Sequence, residues 1–65
     1  MPASAAVYGC HGTELASDER AFFRDVRPFG FILFARNVDN PAQVRALCSQ
    51  LRDSIGDADA PIFID

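Results

Sequence analysis

Apolar residues in this chain follow two spacings, and the change from one to the other sorts it into strands and helices. Residues 30–34, Gly-Phe-Ile-Leu-Phe, are apolar without interruption. Residues 61–64, Pro-Ile-Phe-Ile, form a second such run and end on Asp65. Unbroken runs of this length predict strands buried on both faces, as in parallel sheets. Residues 5–8, Ala-Ala-Val-Tyr, predict a shorter first strand. Elsewhere the period becomes helical. Val44, Leu47, Cys48, Leu51 and Ile55 fall on one helix face, which leaves Arg45, Ser49, Gln50, Arg52 and Asp53 to face water. Asn40-Pro41 supplies a cap and a first-turn proline for that helix, and Gly56 a left-handed stop. An earlier helix is predicted from an N-cap at Ser17 to about Val26, with Asp18 and Glu19 in its first turn and Pro28 ending it. Leu15, Phe22 and Val26 are its expected apolar side, with Phe23 alongside.

Strands alternating with helices predict an α/β fold of the form βαβαβ, with parallel pairing and right-handed crossovers. In such a sheet the carboxyl ends of all strands share one side, where α/β proteins bind ligands. Three polar groups fall there: Cys10-His11, Arg36-Asn37 and Asp65. Asp65 directly follows an apolar strand and is the candidate ligand contact; the bland reading is a solvated loop acid or a helix cap. Arg36 reads as a guanidinium that orients a carboxylate, ahead of direct substrate contact, and against a plain surface arginine. Asn37 reads as a turn former. His11, between glycines and without a partner in sight, reads as a loop residue and not as a general base. A domain seldom ends on such a strand, so the chain reads as the front piece of something larger.

Composition narrows the field. Sixty-five residues with a net charge of -3 make at most one small domain. Six arginines are scattered among nine acids and there is no lysine, so no basic patch for nucleic acid is expected. No apolar run is long enough to span a bilayer, and residues 1–6 have no signal-peptide character. With no secretion signal and only two cysteines, a reducing cytoplasm is the expected compartment. Cys48 reads as a core thiol and Cys10 as the more accessible one; a disulfide between them is the weaker reading. No zinc, calcium or phosphate-loop spacing occurs, so no metal or cofactor is expected.

Residues 29–37, Phe-Gly-Phe-Ile-Leu-Phe-Ala-Arg-Asn, resemble the "GG-ILF-RN" segment of bacterial β-N-acetylhexosaminidases of glycoside hydrolase family 3. Residues 9–15 and 17–20 resemble that family's first strand-loop and acidic helix start. Residues 40–47 resemble its "-P-Q---L" helix, and residues 61–65 its strand that runs on into Gln-Glu-Gly-Gly-Arg-Val. The resemblance implies that residues 1–65 are the first two βα units and third strand of an N-terminal (β/α)8 TIM barrel domain, with the remainder of the barrel required. It implies a cytoplasmic enzyme that removes N-acetylglucosamine from cell-wall muropeptides with retention, through a covalent glycosyl-enzyme. Asp65 matches an aspartate that hydrogen-bonds sugar hydroxyls; Arg36 and Asn37 match a segment near the site and take a supporting role. The family's nucleophile, an aspartate on a late strand, and its acid/base, a histidine with an aspartate on a mobile loop, match nothing here. His11 does not match that histidine. The chain alone is therefore expected to be inactive. Two other readings stand beside this one: a small α/β interaction module without activity, and a family 3 segment acting on glucose or xylose.

Overall fold

The computed structural model describes residues 4–65. In chain order the elements are β1 (Ser4–Tyr8), α1 (Ser17–Val26), β2 (Pro28–Leu33), a 3-10 turn (Ala35–Asn37), α2 (Pro41–Ile55) and β3 (Ile62–Ile64). The three strands form one sheet in the order β1-β2-β3, and both pairings are parallel. Tyr8 lies beside Phe31, and Phe31 beside Ile62, so one side-chain row crosses all three strands. The expected small α/β domain is present.

Both helices cover the same face of this sheet. Phe23 of α1 and Leu47, Leu51 and Ile55 of α2 join Phe31 and Leu33 of β2 in a single core. Phe31, Leu33, Leu47 and Leu51 are essentially fully buried. Each contributes on the order of 1.5–3 kcal/mol through removal of apolar surface from water. The Phe23 and Phe31 rings meet edge to face at 5.1 Å between centroids, the geometry the ring quadrupoles favour.

The opposite face is uncovered, and this corrects the expectation of strands buried on both sides. Val7, Ile32 and Phe63 lie on it by strand alternation. Val7 and Phe63 are exposed, and Ile32 is half-buried. In β3, Ile62 is half-buried beside Phe31, whereas Phe63 and Ile64 are exposed.

Local signals account for most element boundaries, with instructive exceptions. At α2, Asn40 caps as expected: its side chain accepts from the Gln43 amide, and Pro41 opens the helix. Gly56 closes it at a φ of 67°, the left-handed region open to glycine. At α1 the cap is Ala16 and Ser17 is the first helical residue. Alanine has no side-chain acceptor. The Glu19 carboxylate does the work instead, accepting from the Ala16 amide at 3.1 Å and the His11 amide at 2.9 Å. Arg27 ends α1 at a φ of 56°, and Pro28 begins β2 two residues earlier than the apolar run suggested. Phe22 and Phe23 also exchange roles. Phe23 enters the core, whereas Phe22 stays half exposed and stacks on Tyr8 at 5.7 Å.

On α2, Arg45, Ser49 and Asp53 are exposed as expected, but Gln50 and Arg52 are half-buried. Gln50 accepts from the Leu15 amide and Arg52 donates to the Ala60 carbonyl. The helix thus fastens the loop that precedes α1 and the loop that follows α2. The Arg20–Asp53 ion pair joins α1 to α2 at 3.1 Å, but it is solvent-exposed and contributes little.

Candidate functional site

Parallel pairing brings the carboxyl ends of β1, β2 and β3 to one side of the sheet. The most ordered feature there is a hydrogen-bond hub centred on Asn37. This residue is completely buried. Its Nδ2 donates to the Gly12 carbonyl at 2.7 Å and to the Cys10 carbonyl at 3.1 Å. It also lies 3.5 Å from Cys10 Sγ. Its Oδ1 accepts from the Phe34 amide at 2.9 Å, which closes the turn around the 3-10 segment. One side chain therefore ties the loop after β1 to the loop after β2. Reading Asn37 only as a turn former captures the bond to Phe34 and misses the clamp.

Gln43 continues the clamp. Its Oε1 accepts from Asp39 and Asn40 amides, and its Nε2 donates to the carbonyls of Thr13 and Asn37 at 2.7 and 2.8 Å. All of its hydrogen-bonding capacity is spent. The position of Gln43 three residues after Asn40 marks it as a capping-box residue in sequence. Nothing local announces that its other end reaches Thr13, thirty residues away.

Arg36 joins from the neighbouring position. Its Nε donates to the Cys10 carbonyl at 3.2 Å, and its guanidinium carbon lies 4.9 Å from the centre of the Phe34 ring. Cys10 and Arg36-Asn37 are thus brought into direct contact, as strand polarity predicts. Asp65 lies one strand further on. Its amide donates to the Leu33 carbonyl at 2.9 Å, extending the β2–β3 pairing, and its side chain is exposed. No ion pair joins Asp65 to Arg36: the ion pair among the described residues is Arg20–Asp53.

His11 stands apart. Its amide is held by Glu19. Its side chain borders an open cleft of about 600 Å³ between β1 and α1, with Tyr8, Asp18, Glu19 and Phe22. Neither Asp65 nor Arg36 lines that cleft.

The cysteines reverse their expected roles. Cys10 is buried under the clamp and Cys48 is half-buried; both are free thiols. Burial pushes the Cys10 thiol up from its ordinary range, and the Glu19 carboxylate adds to this while Arg36 opposes it. A buried thiol so shifted stays protonated at neutral pH and behaves as a packing group. Among the described residues no cluster of His, Cys, Asp or Glu is arranged to hold a metal ion. No helix is long and apolar enough to cross a membrane.

No family model matches the chain. Curated relatives do. A beta-hexosaminidase of Pseudomonas aeruginosa is 46% identical over 41 residues, which is 63% of this chain and 12% of that protein. A beta-hexosaminidase of Thiobacillus denitrificans is 48% identical over 40 residues, 62% of this chain and 11% of that protein. The chain thus spans about an eighth or less of the length of the curated relatives it matches. Over the matched stretch it is similar in sequence to a beta-hexosaminidase, a glycoside hydrolase.

Proposed function

We propose that this chain is the N-terminal part of a retaining exo-β-N-acetylglucosaminidase of glycoside hydrolase family 3, acting in the cytoplasm on cell-wall muropeptides. The observation that carries the reading is the 46% identity to a beta-hexosaminidase over 41 residues. The architecture is compatible with it. Strands in sequential order, all parallel, with both helices on one face, are the repeating arrangement of a (β/α)8 barrel. The apolar face bearing Val7, Ile32 and Phe63 then becomes barrel interior, and the carboxyl ends of the strands become the floor of the active site. A barrel of this type needs about 250 residues, so the remainder comes from other parts of the polypeptide.

In this reading Asp65 accepts hydrogen bonds from hydroxyls of the N-acetylglucosamine at the non-reducing end. Arg36 and Asn37 support the site by fixing the first two strand-helix loops against each other. The nucleophile and the acid/base group lie outside these residues, so the 65-residue chain by itself hydrolyses nothing. No cofactor or metal enters the reaction, which needs two positioned groups to form and resolve a glycosyl-enzyme.

Asp65→Ala in the complete polypeptide tests the assignment. Loss of a charged acceptor to sugar hydroxyls lowers kcat/KM for an aryl N-acetyl-β-glucosaminide by roughly 10- to 150-fold. The fold is unaffected, because Asp65 contributes only its backbone amide to the sheet. Unchanged kinetic constants in a folded variant would remove Asp65 from the site.

A further inference from the structure

We infer that Arg36 is a ligand-contacting residue in its own right, a preorganised receptor for a carboxylate on the substrate. The inference rests on the glycosidase reading above and adds a second recognition element to it.

Three observations carry it. First, the guanidinium is held in place. Its Nε is anchored on the Cys10 carbonyl at 3.2 Å, and the group lies 4.9 Å above the Phe34 ring. An arginine fixed in this way has already lost much of the side-chain entropy that binding would otherwise cost. Second, its outer edge is unspent. A guanidinium has five N–H donors, and Arg36 uses only Nε. It forms no ion pair among the described residues. The two Nη groups keep four donors in the planar fork that matches a carboxylate. Third, the group lies on the ligand-facing side. A Cβ placed on Gly9 would sit 3.5 Å from Arg36 Nη2, from Phe34 Cε2 and from the Ile32 carbonyl. These are ordinary contact distances, so the guanidinium lies beside Gly9 on the same face of β1.

Strand alternation puts Gly9, Ile32 and Phe34 on the face opposite the helices. It puts Asp65 there too, since Leu33 pairs with Ile64 and the next residues are Phe34 and Asp65. An acceptor of hydroxyls and an unpaired cation therefore share one face at one end of the sheet. A neutral sugar gives the cation nothing to neutralise. The peptide-bearing side of a muropeptide supplies carboxylates, and that is the chemistry Arg36 is built to take.

The test compares two substrates in the complete polypeptide: a nitrophenyl N-acetyl-β-glucosaminide, which is neutral, and its carboxylated nitrophenyl analogue. Arg36→Ala lowers kcat/KM on the carboxylated substrate about tenfold or more beyond whatever loss it causes on the neutral one. Arg45→Ala, on the exposed side of α2, controls for the loss of one positive charge and leaves both unchanged. An equal loss on both substrates makes Arg36 a positioning residue for Asp65 and overturns the proposal. No loss on either also overturns it. If neither substrate is cleaved by the parent protein, the glycosidase reading fails and acetate decides the matter by NMR. A saturable shift of the Arg36 Nε–H signal, absent at Arg45, supports a carboxylate receptor, and identical behaviour of the two arginines excludes it.

Discussion

Asn37→Asp lowers the stability of the protein by about 3–5 kcal/mol, the cost of burying a charge without a partner. The substitution changes one group, and the surroundings determine the outcome. Oδ1 keeps its bond from the Phe34 amide. The other position, formerly a donor, becomes an oxygen facing the carbonyls of Gly12 and Cys10, which stood 2.7 and 3.1 Å from Nδ2. Two attractive contacts become repulsive, and the new carboxylate has no exposure to water in the parent geometry.

Native domains hold roughly 5–15 kcal/mol in total, so the loss is a large share of the whole. Asn37→Ala separates the two contributions. It leaves the Gly12 carbonyl and the Phe34 amide unpaired without adding charge, while the Cys10 carbonyl keeps its bond from Arg36 Nε, and it costs about 2–3 kcal/mol. Urea unfolding followed by circular dichroism reads both. A midpoint for Asn37→Asp equal to that of the parent would mean that the clamp carries no stability.

Gly30→Val is the second large effect, about 2–4 kcal/mol of destabilisation from overpacking and a lost hydrogen bond. By intrinsic preference valine suits a strand better than glycine, by up to about 1 kcal/mol. Space decides against it. A Cβ on Gly30 would lie 2.5 Å from the Pro61 carbonyl oxygen and 2.9 Å from Pro61 Cγ. That carbonyl cannot step aside freely, because it accepts from the Phe31 amide at 3.0 Å at the start of the β2–β3 pairing. Relieving the clash breaks the bond that sets the position of β3, and with it the placement of Asp65. Gly30→Ala moves in the same direction with a smaller loss, also read as a urea midpoint. A midpoint raised by valine would contradict the close approach.

The two substitutions mark where local sequence signals run out. The strands and both helices were legible because hydrophobic period and capping chemistry act over a few residues. Asn40-Pro41 and Gly56 bracket α2 as expected. The cap of α1 was misplaced by one residue because Ser17 is the better capping type, whereas a glutamate three residues inside the helix supplies the acceptor. The exchange of Phe22 with Phe23 has a similar cause: adjacent aromatics on a short helix both fit an amphipathic pattern, and the sheet's position selects one. Strand polarity put Cys10, Arg36 and Asn37 at one end. It did not reveal that Asn37 is fully buried, because its partners lie 25 and 27 residues away and are backbone carbonyls with no sequence signature. The accessibility of the two thiols was inverted for the same reason, since the clamp that covers Cys10 is built from the other loop.

These residues are proposed to help form the sugar site of a retaining N-acetylglucosaminidase. Proton NMR of an aryl N-acetyl-β-glucosaminide during hydrolysis by the complete polypeptide tests this most directly. The expected result is that β-N-acetylglucosamine appears first and then mutarotates, as a double displacement through a glycosyl-enzyme requires. First appearance of the α anomer, or no release of the sugar at all, would contradict it.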